Sequence, residues 1–420
     1  MGQRAGKGEK SSLWAGLTGS RKLANAPASA PPLQAPDATP VFNALFAGQS
    51  ATTSEAAPEH KSGPTAPTLQ PPANAKAVPT EPDSLVVDAE TNNVIKSWAA
   101  RELSPWRLCQ TPYETYTRAI DQLNLSEESL FKFTLRSGGC DVADKPNHPV
   151  RAASIARRVD FYLQFFNFVT TALPPEFTAT IALGVADKVP FVPEVPIFSF
   201  QKKRGNKTIL LPDIDFMIFD YYRSGATHDT IEYEDKSDKA IFVGGTSGGQ
   251  ISPNVARACS LPRLRAARFF WEHPKIEFLL PAIVQTTNDE AREVLQNLPF
   301  CGVPRITWQE QFKCRYIISM DGNGATCSRV AIALRSNSVL LKYDSEEVLY
   351  YFHAMQPWLH YIPISRDEDV ETCLRMVEWS PDLPRMIAAE GRRFAQRYLT
   401  MEAVVAYARE LLSLFPGCFS

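Results

Sequence analysis

The chain has 420 residues, 44% hydrophobic and 10% aromatic, enough to bury one or two sizeable cores. A net charge of −2 and a pI near 6.4 give no overall electrostatic case for binding nucleic acid or an acidic membrane. The eight cysteines form no CxxC pair and read as reduced thiols, and the most apolar run, 161–185, is too interrupted by Gln164, Asn167, Pro174, Pro175 and Glu176 for a transmembrane helix.

Residues 1–85 are rich in Ala, Pro, Ser and Thr and carry few large apolar groups, so a disordered tail is expected. The tail shows no apolar core followed by a cleavage site, and Gly6 argues against myristoylation. A cytoplasmic location is therefore expected, with Lys7, Lys10, Arg21 and Lys22 as a slight basic feature for peripheral contact with anionic lipid.

Order is expected from Leu85 onward. Residues 92–103 and 112–125 have amphipathic helical patterns, and Ser126-Glu127-Glu128-Ser129 reads as the cap of a further helix. A longer helix over 151–173 carries Ile155, Val159, Tyr162, Leu163, Phe166 and Val169 at helical spacing. The strand predicted over 178–185 delivers Asp187 to its C-terminal end, where open α/β sheets place their ligands. A turn-forming aspartate is the plain alternative there. A short strand over 196–201, a basic turn (Lys202, Lys203, Arg204, Lys207) and an apolar run over 208–211 lead to Asp213-Ile214-Asp215-Phe216.

The second half opens with a strand over 239–243 that ends in Gly244-Gly245-Thr246-Ser247-Gly248-Gly249. This small loop, rich in N–H donors, suits a phosphate or the close approach of a sugar. A helix bearing Arg263, Arg265 and Arg268, a strand over 276–280 and a helix over 288–298 follow. The stretch 312–343 is the most complete unit: a buried strand over 315–320, the turn Asp321-Gly322-Asn323-Gly324, a helix capped by Thr326 or Ser328, and a second strand over 338–343. Such a unit points helix N–H groups at whatever lies above the strand end, and Arg329 adds a positive charge in the first turn. The spacing is neither G-x-G-x-x-G nor a P-loop, so an ordinary structural turn is the alternative. A helix over 346–355, a strand over 360–364, a helix over 367–379 and two closing helices to 414 complete the pattern. The alternation predicts an α/β fold with two doubly wound parallel sheets facing each other.

Several strings occur in a telling order: Leu173-Pro174, Asp187-Lys188-Val189-Pro190, Val195-Pro196-Ile197-Phe198-Ser199-Phe200, Leu211-Pro212-Asp213, Phe242-Val243-Gly244-Gly245-Thr246-Ser247, Arg315 to Gly322, and Ser328-Arg329. The most specific is Gln356-Pro357-Trp358-Leu359-His360-Tyr361-Ile362-Pro363-Ile364. Together they resemble glycosyltransferase family 90, which includes the Rumi-type protein O-glucosyltransferases, fungal capsule xylosyltransferase relatives and bacterial lipopolysaccharide core transferases. The resemblance runs from about residue 173 to the C-terminus.

The resemblance implies a GT-B fold: an acceptor-side Rossmann-like domain over 86–238, a nucleotide-sugar domain over 239–380 and closing helices over 381–420. It implies an inverting transfer from a UDP-sugar to a glycan, glycolipid or protein hydroxyl, with surface glycan or lipopolysaccharide synthesis favoured. No cofactor, metal or nucleic acid is expected beyond the UDP-sugar co-substrate. Asp187 takes the role of general base. Arg263 and Arg329, with Gly244, Gly245, Thr246, Ser247, Asp321, Gly322, Asn323, Gly324 and Ser328, take that of the diphosphate site. Asp213, Phe216, Trp358, His360 and Tyr361 are candidates for the acceptor or sugar pocket, although His360 equally suits a packed, hydrogen-bonded residue. Val243 stands where many members have Arg. Two further readings stay open: a metal-binding D-x-D at Asp213 and Asp215, and a degenerate, non-catalytic binding protein.

Overall fold

The computed structural model describes residues 85, 87–107, 111–123, 130–143, 149–187, 195–223 and 225–420. The expected tail apart from Leu85, the 126–129 cap and the Lys188-Val189-Pro190 string lie outside the described residues.

Two amphipathic helices open the described chain, α1 (Ala89–Arg107) and α2 (Tyr113–Gln122). A hairpin follows, β1 (Leu130–Arg136) with β2 (Gly139–Ala143), where the 126–129 string led us to expect a helix. In β1, Phe131, Phe133 and Leu135 are buried while Lys132, Thr134 and Arg136 are more exposed, a period of two that a helix cannot satisfy. Helix α3 (Pro149–Thr170) buries Val159, Tyr162, Phe166 and Val169, the expected stripe. After it come β3 (Thr178–Gly184), β4 (Ile197–Ser199), β5 (Lys202–Lys203), β6 (Ile209–Leu210) and the short α4 (Asp215–Ile218). The sheet order is β2-β1-β3-β4-β6, with β3, β4 and β6 parallel and β1 antiparallel to both its neighbours. This sheet is mixed, a departure from the purely parallel expectation.

The second half contains β7 (Ser237–Gly245), α5 (Pro253–Ala258), α6 (Pro262–Phe270), β8 (Ile276–Ala282), α7 (Asp289–Gln296), α8 (Trp308–Gln311), β9 (Cys314–Ser319), α9 (Cys327–Arg335) and β10 (Val339–Tyr343). Then come β11 (Glu347–Val348), β12 (Ile362–Ile364), α10 (Asp367–Arg375), α11 (Asp382–Tyr398) and α12 (Met401–Leu414). The order β12-β10-β9-β7-β8 is parallel throughout, and every residue of β10 is buried, as expected for a strand covered on both faces. The helix expected over 346–355 is absent. Glu347 and Val348 pair instead with Lys203 and Lys202, and the stretch that follows forms only a single 3-10 turn, Phe352–Ala354.

That small ribbon joins the two halves, and the last helix joins them again. The Tyr407 hydroxyl in α12 donates to the Leu210 carbonyl at 2.9 Å, and Phe415 packs edge-on against Phe198 at 4.8 Å between centroids. Residues of both sheets therefore share one hydrophobic core, while a second core lies on the other face of the parallel sheet.

The segment leading into β7 is fixed by a buried ion pair. Lys236 Nζ lies 2.8 Å from Asp229 Oδ2, with side-chain exposures of 0% and 1%, and Asp229 also accepts from the backbone of Ile231 and Asn337. Removing the cation strands a carboxylate in the interior. Lys236→Ala is expected to destabilise the fold by about 3–5 kcal/mol, read as a lower midpoint in denaturant titration.

Candidate active site

Asp187 stands just beyond the end of β3 with its side chain 37% exposed. Arg158, reaching from α3 and only 6% exposed, donates from Nη2 to Asp187 Oδ1 at 3.1 Å and from Nη1 to the Val185 carbonyl at 2.6 Å. One carboxylate oxygen is thereby held by the protein. The Gln201 side-chain amide, just past β4, donates to the Asp187 carbonyl. The same amide lies against Gly324, where an added Cβ would overlap it. Gln201 thus brings the strand end that carries Asp187 against the glycine turn of the second sheet, and this contact explains why residue 324 has no side chain. Sequence reasoning missed both Arg158 and Gln201. Arg158 left a usable trace, because it shares the buried face of α3 with Tyr162 and Phe165.

The turn after β9 and the loop after β7 are built on two buried guanidinium groups. Arg263 donates to the carbonyls of Gly245, Met320 and Asp321 and to Ser247 Oγ, all at 2.9–3.0 Å. Arg329 donates to the Val243 carbonyl and to Gln311 Oε1. Both lie against the Phe242 ring, at 5.2 and 4.8 Å from its centroid. Burial lowers each from its ordinary value to about 9, and for Arg263 the neighbouring Arg329 adds to the shift. These arginines were expected at the diphosphate; in the structure they bond loop backbone and neighbouring side chains, with Arg329 Nε left without a partner among the described residues. Gly322 is needed because a Cβ there would come 2.6 Å from Ser247 Oγ and 3.0 Å from Arg263 Nη2. Asn323 Oδ1 accepts from Gly248 N at 3.2 Å and links the two loops. Gly244 is tight against the Phe242 ring, and Thr246 is tied to the end of β8 through Val284.

The first turn of α9 differs from the expected open N-terminus. Thr326 holds the N-cap position without a side-chain cap bond, and the Ser328 N–H donates to Asp215 Oδ2 at 3.1 Å. A carboxylate from the first half of the chain thus caps the helix. Asp213 and Asp215 are both buried, and burial raises both carboxyls above the ordinary range, with mutual repulsion adding to the shift at Asp213.

A second cation that sequence reasoning overlooked is Lys342 in β10. It is 2% exposed, its Nζ lies 5.4 Å from the Phe352 and 5.2 Å from the Tyr361 ring centroid, and burial lowers it to about 7 against the opposing fields of Asp321 and Asp344. Desolvation raises the carboxyl of the partly buried Asp321, whose Oδ2 bonds Ser345 while its Oδ1 lacks a partner among the described residues. A lysine embedded in the apolar run of a buried strand was the legible signal.

The proposed pocket residues separate. Phe216 is fully buried against Tyr222 and Tyr350, and Asp213 lies in the interior beside Asp215. Trp358 and His360 precede β12, at the end of the parallel sheet opposite the loops after β7 and β9, so they are not part of this site. His360 Nδ1 accepts from Gln356 N at 2.9 Å and closes a turn in which Trp358 has φ 64°. Tyr361 alone turns its ring toward Lys342.

Lys342 gives a signed pH effect. Below about pH 7 its ammonium is charged in both states and its burial opposes folding; between 7 and 10.5 the unfolded chain holds a proton that the folded chain has shed, so stability rises with pH. Lys342→Met is therefore expected to be more stable than the parent near pH 6, by a few kcal/mol in order of magnitude, with the gap closing by about pH 10. Urea titrations at several pH values measure this gap.

Glycosyl transferase family 90 matches over residues 184–416, more than half of the chain. Protein O-glucosyltransferase 2 of Danio rerio is 30% identical over 116 residues, 27% of this chain and 23% of that protein. Protein O-glucosyltransferase 1 of Rattus norvegicus is 22% identical over 239 residues, covering 53% and 57% of the two chains. The O-glucosyltransferase rumi homolog of Aedes aegypti is 25% identical over 191 residues, covering 44% and 42%. The chain thus spans between about a quarter and just over half of the length of these relatives. No helix among the described residues is long and apolar enough to cross a membrane. With the motif order and the family match in agreement, the chain belongs to glycosyl transferase family 90.

Proposed function

We propose that the chain moves a sugar from a UDP-sugar to an acceptor hydroxyl with inversion, and that Asp187 is the general base. The observation that carries this reading is the half-exposed Asp187 carboxylate, with Oδ1 pinned by Arg158 and its backbone tied by Gln201 to the turn at Gly324. The second oxygen is the one to meet an acceptor hydroxyl as it attacks the anomeric carbon. The leaving UDP lies on the loops at 244–248 and 321–324, where Lys342 supplies the cation and Arg263 and Arg329 preorganise the backbone.

We read the two sheets as the halves of a GT-B fold, divided as 86–238, 239–380 and 381–420. The β5–β11 ribbon and the return of α12 to the first sheet support that division. We propose no metal on the diphosphate: Asp213 and Asp215, the D-x-D pair, are buried, and Asp215 caps α9. The relatives named protein O-glucosyltransferases make a protein hydroxyl the first acceptor to test, ahead of glycan and glycolipid hydroxyls.

The non-catalytic reading also draws on an observation, because the arginines and the first turn of α9 expected at the phosphates already have partners. Turnover of a UDP-sugar panel separates the two. Asp187→Asn is expected to lower transfer by about 10²–10⁴-fold while UDP affinity stays within a few-fold. Unchanged transfer in this variant would remove Asp187 as the base, and no turnover with any donor would favour a binding protein.

A further inference from the structure

Behind Asp187 the chain gathers a set of polar groups that the transfer reaction leaves unused. Asp213 follows β6, Asp215 opens α4 and Cys327 opens α9, and one ligand atom from each lies within 4.8 Å of the other two. All three residues are buried. Two carboxyls and a thiol at this spacing do not by themselves make a site, but the surroundings add independent observations. Asp213 Oδ2 is buried and has no hydrogen-bond partner among the described residues. The buried hydroxyls of Tyr222, Tyr350 and Tyr351 also lack partners there, and all three stand close enough to Asp213 to feel its charge. So many unsatisfied polar atoms around one point are uncommon in a folded interior, where each costs about 1–3 kcal/mol.

The backbone is strained at the same place. Asp220, Tyr221 and Tyr222 have φ of 48°, 53° and 56°, three successive non-glycine residues in the left-handed region. Conformations of this kind cluster at functional sites, and here they precede the side chain of Tyr222.

We propose that Asp213, Asp215 and Cys327 form a buried site for a divalent cation of zinc type. Metal–ligand bonds of about 2.0–2.3 Å place ligand atoms roughly 3–4.6 Å apart, close to the spacing found here. A thiolate among the ligands favours zinc over magnesium or calcium, which take all-oxygen sets. The Tyr222 and Tyr351 hydroxyls, buried and without partners among the described residues, are candidates for a fourth ligand or for bonds to the carboxylates. The ion ties the loop after the first sheet to the helix after the glycine turn, beside the Asp215 to Ser328 bond that already spans them. It is a positioning element, and it stands whether or not the chain transfers sugar.

Because the ligands are buried, the cation enters as the chain folds and exchanges slowly afterwards. The test is metal analysis of the purified full chain after dialysis against a weak chelator, together with the near-ultraviolet spectrum of protein produced with Co²⁺. About one zinc per chain and a thiolate-to-cobalt band are expected. Asp213→Asn and Cys327→Ala are each expected to lower retention at least about tenfold, while Cys373→Ala, which removes a buried thiol in α10, leaves it unchanged. The parent spectrum decides even where a variant fails to fold. A parent chain that carries neither zinc nor a cobalt–thiolate band overturns the proposal, as does a Cys327→Ala protein that keeps its full metal content; the cluster then holds shared protons instead.

Discussion

The Arg263 guanidinium donates to three backbone carbonyls and one hydroxyl drawn from two loops, so the ends of β7 and β9 behave as one piece. Arg329 extends the piece to the middle of β7 and to α8. Two buried cations in contact with one phenylalanine ring are costly to assemble, and each hydrogen bond they donate offsets part of that cost. The glycines at 244 and 322 follow from this constraint, because a side chain at either position would strike the ring or the guanidinium that organises the loops. Fixed loop backbone is what a site needs if it must stabilise a leaving group without reorganising during reaction.

Against that rigid piece the first half of the chain contributes contacts of a different kind. Gln201 and Asp215 reach across to Gly324 and Ser328, while the β5–β11 ribbon and the Tyr407 bond hold the sheets together at two other points. The base candidate therefore sits on one sheet and the glycine loops on the other. Small adjustments between the sheets would change the distance between acceptor and donor, and a misplacement of about 1 Å can cost a hundredfold in rate.

Much of the second half was legible in the sequence. The strand, glycine turn, helix and strand over 312–343 fall where expected because β-branched runs, glycine-rich turns and a short apolar helix are local signals, although Gly322 and Gly324 are needed for close approach and not for a positive φ. The misses have physical causes. Strand β1 follows a stretch whose acidic and serine residues resemble a helix cap, and that cap signal masked the period-two alternation that its pairing with β2 and β3 uses. Pairing of Glu347 and Val348 with β5 is equally nonlocal. Site chemistry was harder still: the arginines at 263 and 329 were read as ligand groups because charge is visible in a sequence, whereas the carbonyls they satisfy are not. Lys342, Arg158 and Gln201 were overlooked for the opposite reason, since each lies within or beside an apolar pattern that reads as core.

The central claim is that the loops at 244–248 and 321–324 form a nucleotide site facing Asp187. Amide hydrogen exchange with and without UDP tests it directly, because it reports backbone protection segment by segment. The account predicts slower exchange in those two loops and near Lys342, with little change in α1, α2 and the β1–β2 hairpin. Protection confined to other segments, or none at saturating UDP, would contradict it.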